Sequence, residues 1–141
     1  MFNVNLKKFF IYLILIVIVF FLDRISKIYV ISLFEENYSL DININDFINI
    51  VLVWNSGIGF GLLSFKDSLI YNFITILIIF INLVIIYFII NYQDIRSLFL
   101  SLILGGSLGN LFDRLNYSAV PDFIDINYKT FHWFLYLQFE L

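Results

Sequence analysis

The stretch LIYNFITILIIFINLVIIYFII, residues 69–90, decides the fold of this 141-residue chain. It carries no charged side chain, and it is long enough to cross a hydrocarbon core about 30 Å thick, which takes roughly 20 helical residues. It therefore predicts a membrane-spanning helix over about 69–91. The composition agrees, because 62% of the residues are hydrophobic and only 13% are charged. Soluble chains carry about 25% charged residues, so soluble and disordered domains are both excluded.

Another membrane helix is predicted over about 9–30. Its outer third carries Asp23, Arg24 and Lys27. The start of this segment, two lysines followed by an uncharged apolar run, also fits a secretory signal peptide. However, no small-residue cleavage site follows, and apolar residues continue beyond the charges. We therefore favour the helix.

The third predicted helix covers about 97–112. Ser101, Gly105 and Gly109 are spaced by four along it, so they lie on one stripe and would let another helix approach closely. We expect one membrane domain over 1–141 that is an all-α integral membrane helical bundle with three transmembrane helices.

An outer loop over about 32–67 and an outer tail over 113–141 complete the predicted organisation. Residues 42–49 alternate apolar and polar side chains and are rich in β-branched residues, a pattern typical of strands. We expect the outer loop to form a small β-sheet on the membrane surface.

The distribution of charge orients the bundle. Lys7 and Lys8 precede the first helix, and Arg96 lies between the second and the third. Basic residues favour the cytoplasmic side, whereas the loop at 32–67 is mainly acidic and is expected outside. The net charge is −3 and the basic residues are scattered, so we expect no nucleic-acid partner.

With this orientation, polar side chains from distant parts of the chain fall on the outer side. Ionisable groups at membrane depth are costly and are functional candidates by default. These residues are Asp23, Lys27, Asn55, Asn110, Asp113, Arg114, Asp122 and Asp125.

The helical candidates have plain structural alternatives. Asp23 and Lys27 are one turn apart and could pair at the interface, with the cations reaching out to water. Asn110 and Arg114 could form part of an ion network at a helix end.

The loop candidates have alternatives as well. Asn55, within WNSGIGFG, could simply cap a turn among glycines. Asp122 and Asp125, within VPDFID, could be solvated loop acids.

The residue types restrict the chemistry. The chain has no cysteine and a single histidine, His132, so thiol catalysis and a histidine-rich metal site are excluded. Two carboxyls that share one proton can act as base and acid on a water molecule, which is hydrolysis of the aspartic type. Asp122 is the best candidate for one half of such a pair, and Arg114 and the asparagines could hold a substrate backbone.

Four motifs occur in a characteristic order: DRISK at 23–27, WNSGIGFG at 54–61, GGSLGNLFDRL at 105–115 and VPDFID at 120–125. Together they resemble the bacterial lipoprotein signal peptidase, or signal peptidase II, over about 9–133. The resemblance implies a multi-pass aspartyl endopeptidase of the bacterial cytoplasmic (inner) membrane, with its active site on the extracytoplasmic side. It also implies four membrane helices and a small sheet on the outer surface.

The resemblance further implies substrates and site residues. The substrates would be prolipoprotein signal peptides bearing a diacylglyceryl cysteine, with membrane lipids as further partners and with no metal or organic cofactor. The catalytic role carries over to Asp122. Supporting or substrate-binding roles carry over to Asp23, Lys27, Asn55, Asn110, Asp113 and Arg114.

The C-terminal residues depart from the family pattern. The second catalytic Asp belongs to a later F-N-x-A-D motif, whereas this sequence reads FLYLQFEL after Trp133 and has no Asp after Asp125. Glu140 stands near the expected position, but its longer side chain would displace a paired carboxylate. We expect an aberrant or truncated C-terminus and an inactive 141-residue chain. The alternatives are a non-catalytic small membrane protein or relic and, last, a proton transporter using Asp23.

Overall fold

The structure is a computed structural model that describes residues 5–37, 41–57, 68–128 and 131–132. Most of these residues lie in three helices: α1 (Leu6–Asn37), α2 (Ser68–Tyr92) and α3 (Ile95–Tyr117). All three are long and apolar enough to cross a membrane. The predicted bundle of three membrane helices is therefore confirmed.

Two helices, α1 and α3, are longer than predicted at their C-terminal ends. α1 continues well beyond residue 30, and α3 runs on to Tyr117, so Asp113 and Arg114 lie in its last turns and not in a tail. α3 stops where Ser118 adopts a positive φ of 56° and donates its amide to the Arg114 carbonyl at 3.2 Å. This is a left-handed cap of the kind that commonly ends helices.

Capping residues set the other helix ends. The Asn5 carboxamide oxygen accepts the Lys8 amide at 3.2 Å, and Asp94 accepts the Arg96 amide at 2.9 Å. Both are N-cap contacts that satisfy amides left without partners in a first helical turn. Gln93, with a φ of 47°, ends α2, so α2 and α3 are joined by a very short connection.

The chain divides into two compact units, within Met1–Ile25 with Thr75–Phe112 and within Ser26–Ile74 with Asp113–Leu141. The first unit contains most of the membrane-helix length. The second contains the ends of the three helices and the sheet. The single membrane domain over 1–141 stays a prediction.

The first unit packs its helices around a small core. Tyr12, Ile89 and Leu104 are buried together, while most of the other large apolar side chains are exposed. An added Cβ at Gly105 would lie 2.7 Å from the Val19 Cβ, which is too close for a side chain. The predicted close approach of another helix to the small-residue stripe of α3 is therefore confirmed.

The second unit contains an antiparallel sheet in the order β1-β2-β3-β4. Its strands are β1 (Asp41–Asn45), β2 (Ile48–Asn55), β3 (Val120–Tyr128) and β4 (Phe131–His132). The predicted strands of the outer loop are confirmed, whereas β3 arises from a segment that we expected to be an outer tail.

The sheet is amphipathic with its polar face inward. In register, Ile42 of β1 and Ile124 of β3 flank β2 on one face, and both are about half exposed. The next row contains Asn49 and Asp125, which are both buried. A soluble sheet would have the opposite arrangement, because water favours polar side chains on the open face.

Candidate active site

Asp122 lies on β3, and its environment is set by the pairing of β3 with β2. The register places Asp122 opposite Val53 and Val120 opposite Asn55, just past a bulge between Ile50 and Val53. Asn55, at the end of β2, donates its Nδ2 to Asp122 Oδ2 at 2.8 Å. The two residues are 67 positions apart in the chain and meet only because the strands pair.

Asn55 also shapes the backbone that follows it. Its Oδ1 accepts the amide of Gly57 at 2.8 Å, which closes a turn of the type that asparagine side chains form with amides two residues on. Asn55 therefore caps a turn, which was its alternative role, and also contacts the candidate carboxyl of Asp122. One side chain fixes the turn and donates to Asp122.

Arg114 holds the same turn from α3. Its Nη2 donates to the carbonyl oxygen of Gly57. Its own carbonyl accepts the hydroxyl of Tyr71 at 2.8 Å, and its guanidinium lies 5.6 Å from the centre of the Tyr71 ring. Sequence reasoning missed Tyr71, whose only signal was a polar-tipped aromatic near the start of an apolar helix.

Lys27 and Asp113 form a buried ion pair. Lys27 Nζ lies 2.8 Å from Asp113 Oδ2, and the two side chains are 5% and 0% exposed. The alternative in which Lys27 reaches out to water is therefore wrong. Its ammonium lies in the interior because a carboxylate there compensates for its lost hydration.

Burial raises the pKa of the Asp122 carboxyl above its usual range. The hydrogen bond from Asn55 and the positive charges of Lys27 and Arg114 oppose this rise, and the negative charge of Asp113 adds to it. Removing water from a carboxylate disfavours its charged form, and here that effect prevails. A carboxyl of this kind exchanges protons closer to neutral pH than an ordinary aspartate does.

The remaining candidates lie elsewhere or have other surroundings. Asp23 and Asn110 belong to the first unit, where Asp23 Oδ2 lies 3.4 Å from Arg24 Nη2 and Asn110 is exposed on α3. Asp125 is 1% exposed, so the alternative of a solvated loop acid is wrong for it. Glu140 lies outside the described residues, as do the last four residues of WNSGIGFG.

In the part of the chain that the structure describes, no group of three or more His, Cys, Asp or Glu side chains could hold a metal ion. What the second unit does bring together is one carboxyl with a raised pKa, an amide donor, an arginine and a buried ion pair. Such a set can position and polarise a neutral hydrogen-bonding molecule.

Three membrane-spanning helices and a partly buried carboxyl at the sheet define a polytopic membrane protein with a candidate hydrolytic site. A family model described as "Signal peptidase (SPase) II" matches residues 15–139. The chain belongs to the signal peptidase II family, and is by family a protease.

The curated relatives agree with the family match. The chain is 47% identical to a lipoprotein signal peptidase of Pelagibacter ubique (strain HTCC1062), over 95% of this chain and 81% of that protein. It is 37% identical to the lipoprotein signal peptidase of Anaplasma phagocytophilum (strain HZ), over 91% and 81%.

A solved structure also matches. It is described as a bacterial membrane enzyme and superimposes with a TM-score of 0.68 at 26% sequence identity. The match covers 89% of this chain and 79% of that chain. The fold is therefore similar to that of a known membrane enzyme.

Proposed function

We propose that this chain is a lipoprotein signal peptidase of the aspartic type. Its substrates are prolipoproteins whose cysteine carries diacylglycerol, and it cuts the signal peptide just before that cysteine. The observation that carries the proposal is the contact of Asn55 with Asp122, a partly buried carboxyl with a raised pKa, in a member of this family. Such a carboxyl suits a general base, because a carboxylate with a raised pKa takes a proton from water more readily than an ordinary aspartate does.

In the proposed reaction, Asp122 acts as a general base on water. Its carboxylate takes one proton as the water oxygen bonds to the peptide carbonyl carbon. The tetrahedral intermediate then breaks its carbon–nitrogen bond while a second carboxyl donates a proton to the leaving nitrogen. In this sequence the one acid after Asp125 is Glu140, which is the candidate for this second carboxyl.

The neighbouring side chains have supporting roles in this proposal. Asn55 orients Asp122 through the 2.8 Å hydrogen bond. Arg114 and the Lys27–Asp113 pair hold positive and negative charge at fixed positions around the carboxyl. Asp23 and Asn110 are assigned to substrate binding on the resemblance alone.

The membrane placement is part of the proposal. The exposed isoleucine face of the sheet would rest on lipid, since burying about 100 Å² of apolar surface gains roughly 2.5 kcal/mol. Trp54 and Tyr117 support this placement, because their exposed rings lie 5.6 Å apart edge to face and such aromatics favour the membrane interface. The basic residues before α1 and near the start of α3 support a site on the extracytoplasmic side of the inner membrane.

The test is cleavage of a synthetic prolipoprotein peptide with a diacylglyceryl cysteine by chain reconstituted in lipid vesicles. We expect Asp122→Asn to lower the rate about 100- to 10,000-fold, the range found for removal of a general acid or base. Asp46→Asn is the matched control, because Asp46 is an exposed acid in the turn between β1 and β2. It should cleave as the parent does.

The cleavage test uses two parent proteins, and the Asp122→Asn and Asp46→Asn variants are made in each of them. The first is the 141-residue chain itself, which we expect to cleave little if Glu140 has to pair with Asp122, because its longer side chain would displace a paired carboxylate. A chimera that carries the corresponding C-terminal segment of a matching relative after Trp133 should cleave. Equal cleavage by the chimera and its Asp122→Asn variant would overturn the role of Asp122. A chimera without cleavage would favour the non-catalytic alternative.

A further inference from the structure

Tyr71 makes two different contacts with one arginine. Its hydroxyl donates to the carbonyl oxygen of Arg114 at 2.8 Å, and the same oxygen accepts the amide of Ser118 at 3.2 Å. Its ring faces the Arg114 guanidinium at 5.6 Å, within the range of a cation–π contact. A single residue of α2 thus contacts both the backbone and the side chain of Arg114 near the end of α3.

From Arg114 a chain of contacts leads to the candidate carboxyl. Arg114 donates to the Gly57 carbonyl, and the Gly57 amide donates to Asn55 Oδ1. Asn55 in turn donates to Asp122. These contacts run from α3 through the turn at 55–57 to β3, so a displacement of Arg114 would move the turn that holds Asn55, the hydrogen-bond partner of Asp122.

Few of the hydrogen-bond donors of the Arg114 guanidinium have partners in the described part of the chain. Its Nε and Nη1 are buried and have no hydrogen-bond partner among the residues that the structure describes. Among the described residues, the Gly57 carbonyl accepts a hydrogen bond from it and the Tyr71 ring faces it. A buried cation with so few donors satisfied gains much from an aromatic face, because cation–π attraction strengthens as water is removed.

We propose that Tyr71 is a positioning residue: it holds Arg114 in place and, through the turn of Gly57 and Asn55, fixes the carboxyl of Asp122. The proposal rests on the proposed function for its meaning in catalysis. The positional link itself does not depend on proteolysis. It can therefore be measured on the chain as it exists.

The expected signature is electrostatic. The charged groups that act on Asp122 are Lys27 of α1 and Asp113 and Arg114 of α3, and Arg114 opposes the rise in its pKa. If Tyr71 holds the guanidinium in place, its removal lets the positive charge move away. The pKa of Asp122 must then rise further. A residue that merely packs would lower stability and leave this pKa unchanged.

The experiment is a carbon-13 NMR titration of the chain in detergent micelles, with aspartate labelled at the carboxyl carbon. The Asp122 signal is assigned by its loss in Asp122→Asn. The variants are Tyr71→Leu, which removes ring and hydroxyl, and Tyr71→Phe, which removes the hydroxyl alone. Tyr87→Leu, which removes an exposed tyrosine of the same helix, is the matched control.

We expect Tyr71→Leu to raise the Asp122 pKa by roughly half a pH unit or more, a fraction of the ~1–3 that an adjacent opposite charge produces. Tyr71→Phe should raise it less, and Tyr87→Leu should leave it unchanged. Arg114→Gln removes the positive charge itself, so the rise in the Asp122 pKa that it causes is the upper limit for the Tyr71 variants. If Tyr71→Leu does not fold, Tyr71→Phe decides alone.

An unchanged Asp122 pKa in every folded Tyr71 variant overturns the proposal, and so does an unchanged value in Arg114→Gln. Both results would leave the proposed function standing, because the titration involves no substrate. Loss of the proposed function would instead show as a parent chimera that fails to cleave, whatever the titration gives.

Discussion

Two ion pairs of the same length lie near opposite ends of α3. Arg96 and Asp94 at its start are 2.8 Å apart with side chains 68% and 36% exposed. Lys27 and Asp113, near its end, are also 2.8 Å apart but almost fully buried. Distance alone would rank the pairs as equal. Their surroundings make them different kinds of interaction.

The difference lies in hydration. At the start of α3 each charge keeps much of its water, so breaking the pair costs little. Near the end of α3 both charges are removed from water and lie against each other, so deleting one takes a counter-charge away from a buried group. A site that must hold charge at a fixed position can use only the second kind of pair.

The largest expected effect comes from breaking the buried pair. Lys27→Met should lower the free energy of unfolding by about 3–5 kcal/mol, because Asp113 loses its counter-charge inside the protein. Thermal unfolding in detergent micelles, followed by circular dichroism, measures it. The double variant Lys27→Met with Asp113→Leu should recover most of the loss, since both buried charges of the pair are then removed. A double variant as unstable as Lys27→Met would contradict this account.

An intermediate effect is expected where α3 meets Asp23 of α1. An added Cβ at Gly109 would lie 2.7 Å from the Asp23 Cγ, whereas Gly106 has nothing within 4 Å of the same position. Gly109→Ala should therefore cost about 1–3 kcal/mol through overpacking. Gly106→Ala, the matched control, should stabilise α3 by roughly 0.5–1 kcal/mol. The same unfolding assay compares them, and equal effects would show that Gly109 needs no close approach.

The smallest effect is expected at the exposed pair. The hydrogen bond from Arg96 lowers the pKa of Asp94, so the pair stabilises the folded state above the unfolded pKa of aspartate and loses this contribution as the pH falls. Arg96→Ala should lower the midpoint temperature of unfolding only slightly at pH 7. At acid pH it should leave the midpoint unchanged. A large loss at neutral pH would show that exposure is a poor guide to the strength of this pair.

Local patterns predicted most of the secondary structure. The uncharged run at 69–90 predicts α2 because crossing a membrane demands that composition, and the alternation at 42–49 predicts strands β1 and β2. The same reasoning missed β3, since 113–141 was predicted to be an outer tail in which Asp122 and Asp125 could be solvated loop acids. Those acids are tolerated in a strand because the pairing with β2 buries Asp125 on an inward polar face.

The candidate site was predicted only in part. The sequence predicted a set of polar residues on one side of the membrane, and the resemblance implied their roles; the set includes Asp122, Asn55, Lys27, Asp113 and Arg114. The sequence did not indicate that Lys27 pairs with Asp113, 86 positions away, or that Tyr71 contacts Arg114. Partners so far apart in sequence leave no local pattern.

The sequence by itself determined that the chain enters a membrane, where its helices run and which residues could carry chemistry, because hydropathy and periodicity act on neighbouring residues. Only the tertiary structure decided which of those residues meet. The pairing of β3 with β2 brings Asn55 into contact with Asp122. The packing around Lys27 excludes water from its ammonium, which contacts Asp113 instead. The reason is physical: the strength of a polar contact depends on distance and on the surrounding dielectric, and folding sets both.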